Sequence, residues 1–212
     1  MTLHQTFPAT ADLISPQAVL PALHDPQPPT FYPAGAEIYA QGEIAGKLYR
    51  VEFGAVRVYR LLADGRRQIS AFHLAGEIFG FEAGSTHHFF AETIAASGIH
   101  VMRPARGRSL ADELMPVALQ VLVRAQEHLL VLGRQAAVER LAAFLVDMAD
   151  RQGDLMRVEL PMSRTDIGDY LGLTIETVSR VLTRLKQKGV IRLPNLRSVE
   201  ILKPQVLRAL AS

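Results

Sequence analysis

The 212-residue chain is 49% apolar and 21% charged, the balance of a water-soluble globular protein long enough to bury two small cores. It has no cysteine, which excludes disulfides, thiolate-bound zinc, cysteine-held iron–sulfur clusters and thiol redox switching. The net charge of +2 is unevenly spread: residues 1–153 carry a net −2, residues 154–212 a net +4, and 174–197 sets six Lys/Arg against Glu176 alone.

A basic segment on a mildly acidic body is the electrostatic footprint of a protein that meets a polyanion, although a solvated helix face carries similar charges. No apolar run reaches the roughly 18 residues that span a bilayer, since the most hydrophobic stretch, Leu114 to Leu132, contains Arg124, Glu127 and His128. Met1-Thr2-Leu3-His4 has no basic leader followed by an apolar core, so a cytoplasmic protein without a membrane partner is expected.

Residues 1–29 hold six of the 12 prolines. Proline removes backbone donors, so this segment is expected to be irregular apart from a short helix around Ala18–Leu23. From Thr30 to Arg103 glycine-punctuated β-type runs take over, among them Leu48–Val51, Ala55–Tyr59 and Gln68–Phe72. Asp64-Gly65 between the last two is a two-residue hairpin signal, and many short strands at regular spacing predict an antiparallel barrel or roll.

Beyond Arg108 the period becomes helical. Leu119, Leu122, Val123, Leu129, Leu130 and Val131 suit a long helix with more than one buried face, one against its own domain and one for a second copy, the latter expected from Leu119, Leu122, Val123, Gln126, Leu129 and Leu130. Burial of both faces within one subunit is the competing reading. A second helix follows with Val138, Leu141, Leu145 and Met148 on one face, ending near Gln152-Gly153.

Residues 161–202 carry the densest signal. Ser163 and Asp166 form a capping-box pattern for a short helix to Leu171; Gly172 supplies a turn, Thr174 caps a helix over about Ile175–Lys188, and Gly189 ends it. On that helix Val178, Val181, Leu182 and Leu185 point inward. Glu176, Ser179, Arg180 and Thr183 share the opposite face. That face suits base-edge reading: arginine pairs with guanine O6/N7, glutamate accepts from cytosine N4, and serine serves either role. Val190–Leu193 and Ser198–Ile201 flank Pro194-Asn195 as a wing, with Arg192 and Arg197 as phosphate contacts.

These residues resemble the CRP/FNR superfamily of bacterial regulators from about Phe31 to Leu202. Gly42-Glu43, Leu48-Tyr49, Gly54-Ala55-Val56-Arg57 and Gly76-Glu77-Ile78-Phe79-Gly80 resemble its β-roll. Glu176-Thr177-Val178-Ser179-Arg180 resembles the reader helix of the FNR/FixK branch, and Ser163 to Arg180 is most similar to FixK-type regulators of microaerobic respiration and nitrogen-fixation genes. The resemblance implies a homodimeric, sequence-specific regulator, mainly an activator, on a TTGAT-N4-ATCAA-like palindrome. Glu176, Ser179 and Arg180 would contact the TTGA half-site. Ser163, Arg164, Thr174, Ile175, Thr177, Arg184, Arg192 and Arg197 would support them or hold the backbone, and RNA polymerase would be a second partner.

The expected α+β architecture is then an irregular segment (1–29), an antiparallel β-roll of cupin-like jelly-roll type (30–107), a dimerisation helix (108–135) and a winged helix-turn-helix DNA-binding domain (136–212). Departures from the family bear on ligands. Phe90 stands where the phosphate-pairing arginine of cyclic-AMP-binding members is expected, and a buried phosphate without it would be an unpaired charge. Oxygen-sensing members need N-terminal cysteines. A regulator with no cofactor and no effector is therefore expected, the alternative being an effector-dependent CRP-like or haem-sensing protein with a different ligand.

His73, His87-His88, His100 and His128 invite a metal or haem reading, but no metal-triad spacing occurs, and core or surface histidines are expected. A cupin-like enzyme would need clustered His and Glu ligands, and neither these nor a P-loop, nucleophile elbow or paired-carboxylate motif is found.

Overall fold

The computed structural model describes residues 28–102, 110–153 and 156–211, with side chains in the second stretch from Leu114 onward. The expected helix at 18–23 and the expected boundary at 107/108 lie outside the described residues. Alternation of apolar and polar residues builds the strands β1 (Thr30–Tyr32), β2 (Glu37–Tyr39), β3 (Leu48–Phe53), β4 (Ala55–Leu61), β5 (Arg67–Leu74), β6 (Ile78–Phe79), β7 (Phe90–Thr93) and β8 (Ser97–Met102). They form two antiparallel four-stranded sheets, ordered β1-β8-β3-β6 and β2-β7-β4-β5. Tyr39, Tyr49, Val51, Val56, Val58, Phe79, Ala91 and Ile99 fill the space between the sheets.

The Asp64-Gly65 hairpin exists, but its loop differs from the two-residue form. Leu62 donates its N–H to Arg66 O, and Gly65 to Leu62 O, leaving residues 63–65 as the loop. Only Gly65 takes positive φ (+81°), whereas a two-residue type I′ turn would need Asp64 there as well. Asp64 instead turns its carboxylate onto the Arg66 N–H (3.0 Å) and guanidinium (2.7 Å).

The long helix α1 (Leu110–Gly133) leads into α2 (Ala137–Gln152), which Gly153 closes in the left-handed region. A winged helix-turn-helix follows: β9 (Arg157–Glu159), α3 (Arg164–Leu171), α4 (Ile175–Gln187), β10 (Ile191–Arg192), β11 (Ser198–Ile201) and α5 (Pro204–Leu210). Its sheet runs β10-β11-β9. Sequence pattern alone did not disclose β9 or α5, the latter packed on α2 around Leu207.

The second core crosses from one region to the other. Ile69 and Phe72, on the outer face of β5, bury themselves with Leu141, Phe144, Leu145, Ile167, Leu171, Val178, Leu182 and Leu185. Tyr170 meets the rings of Phe72 (5.1 Å), Phe144 (5.8 Å) and His128 of α1 (3.8 Å). A buried carboxylate, Glu77, completes the junction by accepting from Arg124 of α1 (2.8 Å) and Arg151 of α2 (2.7 Å). Burial pushes that carboxyl up, but Arg151 and then Arg124 outweigh it and hold it below the usual carboxylate range.

Burial pulls the imidazoles of His73 and His128 down from their ordinary 6.5 to about 4. A histidine kept neutral by folding stabilises the protein above pH 6.5, and that contribution drains away as pH falls toward 4, because the unfolded chain takes up protons the folded one refuses. The urea midpoint is expected to stay level above neutrality and to decline between pH 6.5 and 4, with Glu77 adding a loss only at more acid pH. His128→Phe, which keeps a ring on Tyr170, should flatten that decline; an unaltered pH profile would place the titration elsewhere.

Candidate nucleic-acid interface

The turn between α3 and α4 is set by backbone packing. Ser163 and Asp166 cap α3 reciprocally: the Asp166 N–H donates to Ser163 Oγ (3.0 Å), and the Ser163 N–H donates to Asp166 Oδ2 (3.0 Å). Gly172 closes the helix at φ +64°, its N–H on Gly168 O. Gly168 is a residue that helix propensity would disfavour, yet a Cβ there would sit 2.6 Å from Leu173 O. The close pass of Leu173 over α3 therefore requires glycine, and it fixes the angle at which α4 leaves the turn.

Thr174 caps α4 by accepting from the Thr177 N–H (3.3 Å). Val178, Leu182 and Leu185 are buried, with Val181 partly so; Glu176, Arg180, Thr183 and Arg184 are exposed on the other side. Hydrogen bonds from its own backbone N–H and from Thr174 hold the Glu176 carboxyl below its usual range, so it is an ionised acceptor at the helix start. Ser179 is half-buried and accepts from Arg164 Nη1 (3.2 Å), while Arg180 donates to Thr177 Oγ1 (3.3 Å). Thr183 returns its hydroxyl to Ser179 O (2.9 Å), and so is spent within the helix.

Glu176, Ser179, Arg180, Arg164, Thr174, Ile175 and Thr177 thus lie together at the N-terminal end of α4, and Ser163 caps the neighbouring α3. Arg184, Lys186 and Lys188 extend the exposed basic face toward its C-terminus. The wing arginines are held differently. Arg192 pairs with Glu200 across the β10–β11 ladder (2.6 Å from Nε), and Arg197 donates to Pro161 O. Sequence reading assigned these two to phosphate and did not anticipate either partner.

Leu119, Leu122, Val123, Gln126, Leu129 and Leu130 are all exposed and fall on one side of α1, with Met115 continuing the row. The opposite side carries Arg124 and His128, which meet Glu77 and Tyr170. In the β-roll, the interior is filled by rings: Tyr49 on Phe79 (5.2 Å), Tyr39 on Tyr49 (5.5 Å) and Tyr39 on His87 (3.7 Å). Arg50, Arg57 and Arg67 pair with carboxylates of Glu52, Glu92, Asp166 and Asp169, and Phe90 stacks on Tyr59 (5.3 Å). The rings pack the roll interior, and the guanidiniums of Arg57 and Arg67 turn outward to α3. Among the described residues, no three His, Asp or Glu side chains converge to hold a metal, and no helix is long and apolar enough to cross a membrane.

Comparison with known proteins agrees with this geometry. The family profile of the cyclic nucleotide-binding domain matches residues 29–105, and that of the Crp-like helix-turn-helix domain matches 139–210. The nitrogen fixation regulation protein FixK of Rhizobium meliloti (strain 1021) is 56% identical over 181 residues, covering 85% of this chain and 86% of the relative. The FixK of Azorhizobium caulinodans is 42% identical over 87% of this chain and 79% of its own length. The solved structure of FixK2 from Bradyrhizobium japonicum superposes with a TM-score of 0.81 at 42% identity, covering 86% of this chain and 96% of that one. These relatives are transcription regulators rather than enzymes.

The caps are separable by mutation. Thr174→Ala is expected to cost about 1 kcal/mol in urea unfolding. Ser163→Ala should cost more, because it also strips the hydroxyl donor (2.7 Å) from the buried carboxylate of Asp166; equal losses would mean that this hydroxyl bond adds nothing.

Proposed function

The chain belongs to the CRP/FNR family of DNA-binding transcription regulators, and we propose that it binds a TTGAT-N4-ATCAA-type palindrome as a homodimer without a small-molecule effector, mainly to activate transcription. The observation that carries the reading is the grouping of an ionised acceptor (Glu176), a hydroxyl (Ser179) and a guanidinium (Arg180) on one exposed end of α4. These three read base edges in the major groove. Ile175, exposed beside them, belongs to the supporting set. Ser163, Arg164, Thr174, Thr177, Arg184, Arg192 and Arg197 support the reader or bind phosphate.

The dimer is proposed to form along Leu119, Leu122, Val123, Gln126, Leu129 and Leu130, a stripe of spacing close to a heptad that is left to solvent in a single chain. Pairing there places the two reader helices about 34 Å apart, one turn of B-DNA. Residues 30–107 then serve as a β-roll, 108–135 as the dimer helix and 136–212 as the DNA-binding domain. Aromatic filling of the roll supports effector independence. The names of the FixK relatives support a role among nitrogen-fixation genes, and activation implies contact with RNA polymerase in the cytoplasm.

Fluorescence anisotropy of ligand-free protein, with the palindrome and a half-site-scrambled duplex at fixed near-physiological salt, tests specificity and effector independence together. Tight binding to the palindrome alone is expected; weak and equal binding to both would point to a missing effector or another operator. In the same assay Arg180→Ala should cost about 1–3 kcal/mol on the palindrome and much less on random DNA. Equal losses would make Arg180 a phosphate contact. Leu122→Glu/Leu129→Glu should give a folded monomer by analytical ultracentrifugation, with operator affinity largely lost, and a persistent dimer would move the interface elsewhere.

A further inference from the structure

Between the β-roll and the helix-turn-helix lies a cluster of ionised groups that DNA reading leaves unexplained. Arg57 of β4 donates to Asp166 Oδ1 (2.9 Å) and to Glu92 (2.7 Å). Arg67 of β5 donates to the same Asp166 oxygen (2.6 Å) and, through Nε and Nη2, to Asp169 Oδ2 (3.0 and 2.8 Å). Gln68 adds a bond to Asp169 O (2.7 Å). Beneath the two guanidiniums lies the ring of Tyr59, 6.0 Å from Arg57 and 5.5 Å from Arg67, itself stacked on Phe90. We propose that Arg57 and Arg67 are positioning residues for DNA binding: through Asp166 and Asp169 they fix the orientation in which α3 presents the reader helix.

The covalent route from α1 to the DNA-binding domain is the short link at 134–136, which by itself leaves α3 free to swing. Apolar packing of Phe72 on Tyr170 resists separation but is weakly directional, whereas charge-assisted hydrogen bonds fix angle as well as distance. α3 is gripped at both ends. Arg57 and Arg67 hold its first turn, and Arg140 holds its last by donating to Leu171 O (3.1 Å) and to Arg134 O of the link (2.8 Å). Asp166 sits at the centre. It is 2% exposed, and while Oδ1 takes the two arginines, Oδ2 caps α3. Two cations here are shared among three carboxylates, Glu92, Asp166 and Asp169, so removing an arginine leaves like charges facing each other across the junction. No small molecule is needed to close this contact, so it supplies an internal cause for effector-free binding, and in that respect it rests on the function proposed above.

The test compares wild type with Arg57→Gln/Arg67→Gln and with Asp169→Asn, a half-exposed partner whose change leaves the α3 cap intact. On the palindrome each is expected to bind about tenfold or more weakly, a fold-change typical of coupling between sites. The slope of log affinity against log salt should not change, since no phosphate contact is removed. Arg67→Gln combined with Asp169→Asn should be no worse than Arg67→Gln alone. Unchanged affinity, tighter binding, or a slope reduced by about one for each arginine would overturn the proposal, the last by making them phosphate ligands. Hydrogen exchange on free protein reads the latch without DNA: amides of 164–171 should exchange faster in the double variant. If wild type itself needs an added effector, the effector-free reading fails while this measurement still decides the latch, and unaltered exchange would sink it.

Discussion

The arrangement turns on the carboxylate of Asp166. A carboxyl group that is 2% exposed is tolerated only if its lone pairs are met by donors of fixed geometry. One oxygen is met by the backbone and hydroxyl of Ser163, and so starts the first helix of the DNA-binding motif. The other is met by Arg57 and Arg67, which belong to the β-roll. The same side chain therefore nucleates a local element and joins two distant ones, and neither duty can be given up without exposing the cost of the other.

That junction is possible because strand alternation gives the β2-β7-β4-β5 sheet two useful faces. Along β4, Val56 and Val58 enter the roll, and the residues between and beyond them, Arg57 and Tyr59, face outward. Ile69 and Phe72 add apolar surface to that outer face, enough to continue the core of the DNA-binding domain. The roll thus docks the helix-turn-helix by burying aromatic and aliphatic surface, and ion pairs around that contact set its angle. Its interior is packed with Tyr39, Tyr49, Phe79 and His87.

What was legible in the sequence follows the range of the forces involved. Capping by Ser163 and Thr174, the Gly172 turn and the inward stripe of α4 are local, and they stand in the structure where their spacing puts them. The loop at Asp64-Gly65 was read one residue too short because a dipeptide signal does not say whether Asp64 or only Gly65 takes positive φ. β9 has too few residues for a period to show, and it exists through pairing with β11. Arg57, Arg67, Asp166 and Asp169 were invisible as a set, since their partners lie about a hundred positions away and surface-type charges carry no mark of pairing. Gly168 offered one readable clue, a glycine inside a helix, which by propensity alone looks like weakness rather than a close backbone contact.

Charge is unevenly spread over the exposed surface of α4 and the wing. Thr183 is bonded within its own helix, and Arg192 is neutralised by Glu200. Exposed cation lines α4, where Arg180 stands near the N-terminal end and Arg184, Lys186 and Lys188 follow toward the C-terminus. A basic face of this kind attracts a polyanion. Because α4 is carried by α3, and α3 is gripped by the β-roll at one end and by Arg140 at the other, the orientation of that basic face depends on residues that lie outside it.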